Sequence, residues 1–313
     1  MAQMVITAGV DVSKRWLDAA LWPTRETIRV EANDAGHEQL AAWLSQHGVC
    51  RVGLEATGGY EVPLMDALQK AYGFEVARFN PQRIRRFAEA KGRLAKNDRA
   101  DALTIAQATA ILLDDVPPPR RCDLDPLVEH LTYRRQVQAW IEDCRNQLEH
   151  LRDNSLRKAM EQQRTGFQRA LKAIDKKLAD LVNRHDDWRV LAERLRTVPG
   201  VGPVVAATLI ALLPELGRLS RRAIASLAGL APYDRDSGGH AGERHIKGGR
   251  AAVRDVLYMA VLTAKTYNPV IAAFARRLHG KKPKVILTAC MRKLLVILNA
   301  MVRDGTDWTV ASA

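Results

Sequence analysis

The sequence predicts an α/β domain followed by a mainly helical remainder, and three observations carry that prediction. Through roughly the first 116 residues, short apolar runs that end in acids alternate with segments of helical spacing. Val116-Pro117-Pro118-Pro119-Arg120-Arg121 then makes a stiff break. From Pro126 to Arg196 there is no further proline and only Gly166, while apolar residues recur every three, four and seven positions. The expected organisation is therefore an α/β domain over 1–116, a helical segment over 117–196 and a C-terminal, mainly α domain over 197–313.

The first strand is read as Val5 to Asp11, an apolar run closing on a carboxylate. The polar turn from Val12 to Arg15 leads to a second strand, Trp16 to Trp22, and a third lies around Thr27 to Val30, giving an antiparallel meander. His37 to His47 carries Leu40, Ala41, Trp43 and Leu44 at helical spacing, with Gly48 ending it. Arg51 to Glu55 reads as a short central strand, again ending in an acid. A helix from Pro63 to about Tyr72, a strand over Phe74 to Phe79 and a helix opened by Pro81 follow, so the order β-β-β-α-β-α-β-α describes a mixed sheet with helices. A further helix begins near Asp98 and runs to Leu113. The middle segment predicts a helical hairpin or coiled coil turning between Asn154 and Gly166. A narrow helical pair that cannot bury both faces alone points to self-association.

The formal net charge of +13 and a pI near 9.8 are the electrostatic footprint of a protein that meets nucleic acid. Hydrophobic content is 47% and aromatic content 5%, which fits an aliphatic, helix-rich interior. No uninterrupted apolar run approaches the roughly 18–20 residues that span a bilayer, and no signal peptide is read at the N-terminus. A cytoplasmic protein with no membrane partner is expected. Cys50, Cys122, Cys144 and Cys290 are scattered without a C-x-x-C pair, which argues for reduced thiols and against a zinc site.

Four acids stand at likely element ends: Asp11, Glu55, Asp98 and Asp101. The last two are three residues apart and so share a helix face near its N-terminus. Hard carboxylate oxygens are what magnesium prefers, and two such ions about 3.5–4 Å apart can stabilise the attacking and leaving oxygens of a phosphodiester. Arg83, Arg85, Arg86, Lys91, Arg93 and Lys96 form a basic run beside these acids, suited to phosphates and equally to a solvated helix face. Toward the C-terminus, residues 197–203 resemble the loop of a helix-hairpin-helix. Residues 234–250 hold five glycines with His240, His245, Lys247 and Arg250, and read as a loop able to lie on a phosphate backbone. Lys281-Lys282-Pro283-Lys284 is a second basic break, between helices over 250–278 and 283–303.

Three segments in order, GVDVSK (9–14), GLEATGGYE (53–61) and KNDRADA (96–102), resemble the DEDD transposase domain of the IS110/IS1111 insertion-sequence family. LAGLAPYDRDSGGHAGERHIKGG (227–249) is similar to that family's C-terminal domain. The resemblance implies a RuvC-like, RNase H-like fold for the first domain. It also implies a transposase or site-specific recombinase whose metal ligands are Asp11, Glu55, Asp98 and Asp101 and whose nucleophile is Ser237. It further implies Mg2+, donor and target DNA, a structured guide RNA, and dimers or tetramers acting on the bacterial nucleoid. Because the acids and the serine lie far apart in sequence, an active site composed between subunits is a corollary. A metal-dependent junction-resolving nuclease would need the acids alone. A non-catalytic nucleic-acid-binding protein would need only the basic stretches.

Overall fold

Residues 5–92, 98–112, 124–233 and 245–309 are described by the computed structural model. They fall into two compact units, 1–122 and 123–313.

In the first unit five strands form one mixed sheet: β1 (Thr7–Val12), β2 (Trp16–Trp22), β3 (Thr27–Glu31), β4 (Arg51–Glu55) and β5 (Glu75–Phe79). Their spatial order is β3-β2-β1-β4-β5. The first three are antiparallel neighbours, whereas β4 runs parallel to both β1 and β5. Between β3 and β4 the chain forms α1 (Asp34–Gln46), capped by the Asn33 side chain accepting from the Gly36 amide at 2.8 Å. Between β4 and β5 it forms α2 (Glu61–Asp66), which continues as a π-helical turn over Ala67–Ala71. Then come α3 (Pro81–Ala90), capped by Asn80, and α4 (Asp98–Leu112). The first strand begins two residues later than the sequence suggests. Val5 is 61% exposed, having no neighbouring strand to cover it.

Alternation assigns the two faces of the sheet. Ala8, Val10 and Val12 of β1, with Leu17 and Leu21 of β2, pack against Leu40, Leu44 and Leu64 of α1 and α2. Thr7, Gly9 and Asp11 therefore face the other way, toward α4. Gly9 and Gly53 are hydrogen-bond neighbours in β1 and β4, and α4 lies directly on both. A methyl group at Gly9 would collide with the backbone of Ala102, Ile105 and Ala106, and one at Gly53 with Thr109. The Thr7 hydroxyl donates to the Ala106 carbonyl at 2.9 Å in the same seam.

The second unit is helical. α5 (Asp125–His150) and α6 (Asn154–Asn183) form a hairpin, followed by α7 (Asp186–Arg196), α8 (Pro203–Leu212) and α9 (Arg221–Leu227). A two-stranded ribbon, β6 (Pro232–Tyr233) and β7 (His245–Ile246), precedes α10 (Ala251–Tyr267), α11 (Pro269–Arg277) and α12 (Pro283–Asp304). The hairpin turns at 151–153, ahead of the stretch expected from sequence, because Asp153 caps α6 by accepting from the Leu156 amide at 3.0 Å. Arg134 joins the two arms through Asp175 at 2.5 Å, and the Trp140 and Phe167 rings lie 5.3 Å apart. One apolar core runs from Leu127 and Ile174 on the hairpin through Leu195 and Leu209 to Leu257, Leu294 and Leu298. The paired helices thus share the interior of the C-terminal helices.

By length and composition α12 is apolar enough to cross a membrane. Cys290, Leu294, Leu295 and Leu298 are fully buried in that core instead, which accounts for its apolarity.

Gly9→Ala sets a side chain against backbone that has no room to move. We expect it to destabilise the first unit by about 3 kcal/mol, read as a lower urea midpoint in equilibrium unfolding.

Candidate active site and nucleic-acid contacts

Asp11 and Glu55 close two neighbouring strands at one end of the sheet, and α4 begins near that end. Thr7, Ala8, Gly9 and Val10 pair in register with Arg51, Val52, Gly53 and Leu54. One step further, Asp11 and Glu55 stand side by side on the face that α4 covers. Thr7 lies beside Ala106 and Gly9 beside Ala102. Two strand residues rise about 6.7 Å and four helical residues about 6 Å, so the next step brings Asp11 to the first turn of α4, where Asp98 and Asp101 begin the helix. Asp11, Glu55 and Asp101 are all partly exposed. The side chain of Asp98 lies outside the described residues.

Among the described residues no three His, Cys, Asp or Glu side chains are drawn close enough to hold a metal ion. Carboxylates gathered at one sheet end repel each other unless a cation lies between them. As a donor set, an all-carboxylate group on two strands and one helix turn suits a hard divalent ion.

Two further acids shape this end of the sheet. Asp18 sits directly opposite Asp11 on β2 and shares its face. It is buried, and Arg29 on β3 engages both its oxygens, at 2.8 and 2.9 Å, which neutralises it. Glu61 at the start of α2 is fully buried. One of its oxygens accepts from the Thr57 amide at 3.0 Å and the Gly59 amide at 2.9 Å, and the other lies 3.2 Å from Arg78 Nε. That carboxylate fixes the loop leaving Glu55. The sequence signal for Asp18 was the short β1–β2 turn, which sets the register. For Glu61 it was the acid closing the Gly58-Gly59 turn, a position where backbone amides converge.

The basic run divides. Arg85 pairs with Glu89 at 3.4 Å and is 83% exposed, and Arg86 is exposed. Arg83 is partly exposed on the same helix. Lys91 donates to Gln107 at 2.9 Å and lies over the Phe87 and Trp22 rings, tying α3 to α4. Arg93 and Lys96 lie outside the described residues.

In the second unit Ser237 and His240 likewise lie outside the described residues, in the segment joining β6 to β7. His245 and Lys247 are exposed. Arg250 caps the ribbon differently: its guanidinium grips Glu215 through two 2.6 Å bonds and the Leu212 carbonyl at 2.8 Å. Gly200, in the helix-hairpin-helix-like loop, has φ +102°, and a Cβ there would meet the Ala260 carbonyl at 2.7 Å. Its freedom serves packing on α10. Of the free thiols, Cys50 is exposed and Cys144 and Cys290 are buried.

Comparison with known proteins decides the family. The DEDD transposase family of IS110 type matches residues 8–154, and the Transposase IS116/IS110/IS902 family matches residues 192–276. The chain belongs to the IS110 family of transposases. It is 26% identical to the pilin gene-inverting proteins of Moraxella lacunata and Moraxella bovis over 95% of each chain. It is also 32% identical to an uncharacterized 44.8 kDa protein of insertion element IS116 from Streptomyces clavuligerus, over 38% of this chain and 31% of that one. This IS110-family member is thus an enzyme of DNA transposition and recombination. Its mixed five-stranded sheet agrees with the RNase H-like fold expected of a DEDD domain.

Two outcomes are expected of this transposase. Glu61→Ala leaves two loop amides without their acceptor and Arg78 without its counter-charge and should cost about 3 kcal/mol, seen as a lower melting temperature of the first unit. For Glu215, burial pushes the carboxyl up, but the hydrogen bonds and charge of Arg250 outweigh it and hold it below its ordinary 4.5. A lowered acid stabilises fully above the ordinary value and loses that contribution as pH falls through the lowered one. The stability difference between wild type and Arg250→Met, about 2 kcal/mol at neutral pH, should therefore shrink below about pH 4.5 in urea titrations run across pH.

Proposed function

We propose that this transposase cleaves and exchanges DNA strands through Ser237, with Asp11, Glu55, Asp98 and Asp101 holding Mg2+ at the reacting phosphate. What supports the acidic half is the parallel register of β1 and β4, which extended one step beyond Val10 and Leu54 sets Asp11 beside Glu55 on the face that α4 covers. The serine half rests on the match of the C-terminal family and on the Pro232-to-Gly238 context.

In this reading the Ser237 hydroxyl oxygen attacks phosphorus. An Oγ–P bond forms and the P–O bond to one sugar breaks. The serine proton passes to a base, and the departing sugar oxygen gains a proton. The ester is conserved as phosphoserine, so a second strand's hydroxyl can displace serine and reseal the backbone without an external energy source. Bound divalent metal supplies Lewis-acid stabilisation of charge on the phosphoryl oxygens. The four carboxylates fix where that charge is met, and Glu61 holds the loop that follows Glu55. A structured RNA selects donor and target, for which the +13 charge provides the counter-charge. Subunits assemble through the α5–α6 hairpin, and the reaction takes place on nucleoid DNA in the cytoplasm. The Moraxella relatives are named for inverting a pilin gene, which is in keeping with an exchange of DNA strands.

Purified Ser237→Ala should form no covalent protein–DNA adduct on a denaturing gel. Asp11→Ala and Asp101→Ala should lower adduct formation by on the order of 100-fold or more. Cleavage undiminished by Ser237→Ala would make the protein a metal-dependent nuclease. Indifference of every DNA reaction to the Asp variants would leave only a binding role.

A further inference from the structure

Beside the β6–β7 ribbon, the ribbon and the outer face of α12 enclose a groove of about 380 Å3. Pro232 and Ile246 line one wall. Lys284, Val285, Thr288 and Arg292 line the other. Lys284, Thr288 and Arg292 follow one another at four-residue intervals, so they share one helix face and span about 12 Å of its axis. At about 3.4 Å per nucleotide along a strand, that is three or four phosphates.

The stretch that supplies the α12 wall of the groove carries charge of one sign. Residues 256–303 contain nine lysines and arginines and not one aspartate or glutamate. By contrast, Arg29, Arg78, Arg134 and Arg250 are each held by a carboxylate. Lys284 and Arg292 make no ion pair among the described residues, and Lys284 is exposed. Ile246 and Val285 are 39% and 48% exposed on the facing walls. An apolar floor between two free cations suits a ligand that is anionic along one edge and flat and apolar along the other. A nucleic-acid strand is such a ligand. β6 and β7 are also the two strands joined in sequence by the segment that carries Ser237.

We propose that this groove binds the phosphate backbone of a DNA strand, with Lys284 and Arg292 contacting separate phosphates and Val285 and Ile246 receiving sugar or base. The occupant is DNA because the ribbon leads into the serine segment, and this part of the inference rests on the reading of Ser237 as nucleophile.

The test uses the full chain carrying Ser237→Ala, so that no covalent product forms, and a fluorescent single-stranded DNA titrated at several KCl concentrations. Lys284→Gln/Arg292→Gln should weaken binding on the order of tenfold at low salt. It should also flatten the log–log salt dependence by about 1.4, two contacts at roughly 0.7 each. Lys176→Gln/Lys177→Gln removes the same charge from α6 and should leave the slope unchanged. Lys284→Glu, which suits the first turn of α12, should keep the melting temperature and still lose affinity.

An unchanged slope, or equal losses from both double variants, overturns the proposal. So does a single-stranded RNA of the same sequence losing as much as or more than the DNA. The serine reading is scored separately, on active-site chemistry. A covalent adduct that survives Ser237→Ala sinks that reading while the slope still reports on the groove, and an unchanged slope beside a serine-dependent adduct sinks the groove alone.

Discussion

The seam between α4 and the paired glycines of β1 and β4 is the constraint on which the first unit depends. Helices ordinarily stand off a sheet by the length of their side chains. Here Gly9 and Gly53 have none, and the helix backbone descends onto the strands. Two consequences follow from the two-residue period of a strand. Residues of the same parity as the glycines face the helix, so Asp11 and Glu55 are aimed at α4. The helix also runs back along β1 from Ala106 at Thr7 to Ala102 at Gly9, which brings its first turn to the strand end. One steric fact thus turns both strand positions toward α4 and brings the helix start near that end of the sheet.

Most of this was legible in the sequence, for identifiable reasons. The β2 and β4 boundaries follow from their alternation and from the turns beside them, and α3 from Pro81 at its first position with Asn80 before it. What could not be read was depth. Gly9 and Gly53 look like any strand glycines until α4 is placed on them. Asp18 looked like one of many surplus acids, because only the register with Asp11 shows that it shares the face. The hairpin turns just ahead of the Asn154–Gly166 stretch that the sequence suggests, where Asp153 caps α6. Gly166 lies inside α6, where a glycine costs a helix only about 1 kcal/mol.

The basic character of the chain also proves heterogeneous. Arg29 neutralises Asp18, Arg78 meets Glu61, Arg134 joins two helices and Arg250 locks the start of α10 to Glu215. Each forms a pair with at least one partly buried member, where Coulomb attraction is stronger than at a fully solvated surface. Net charge read from composition therefore overstates what is free to meet a polyanion. Residues 256–303, which include α12, contain no acid to pair with their nine lysines and arginines from within that stretch.

Glu61 shows how a buried charge and an exposed one divide the work within a few residues. A fully buried carboxylate is costly unless it is compensated; two loop amides donate to one Glu61 oxygen, and the other, without a hydrogen bond among the described residues, has the Arg78 charge 3.2 Å away. Its two amide bonds tie the glycine-rich turn after β4 to the start of α2. Glu55, six residues earlier and partly exposed, is left at the mouth of the seam on a rigid strand end. Under the proposed chemistry, the rigidity asked of these acids comes from residues that never need to touch the phosphate: a glycine pair under the helix and one buried acid behind the loop.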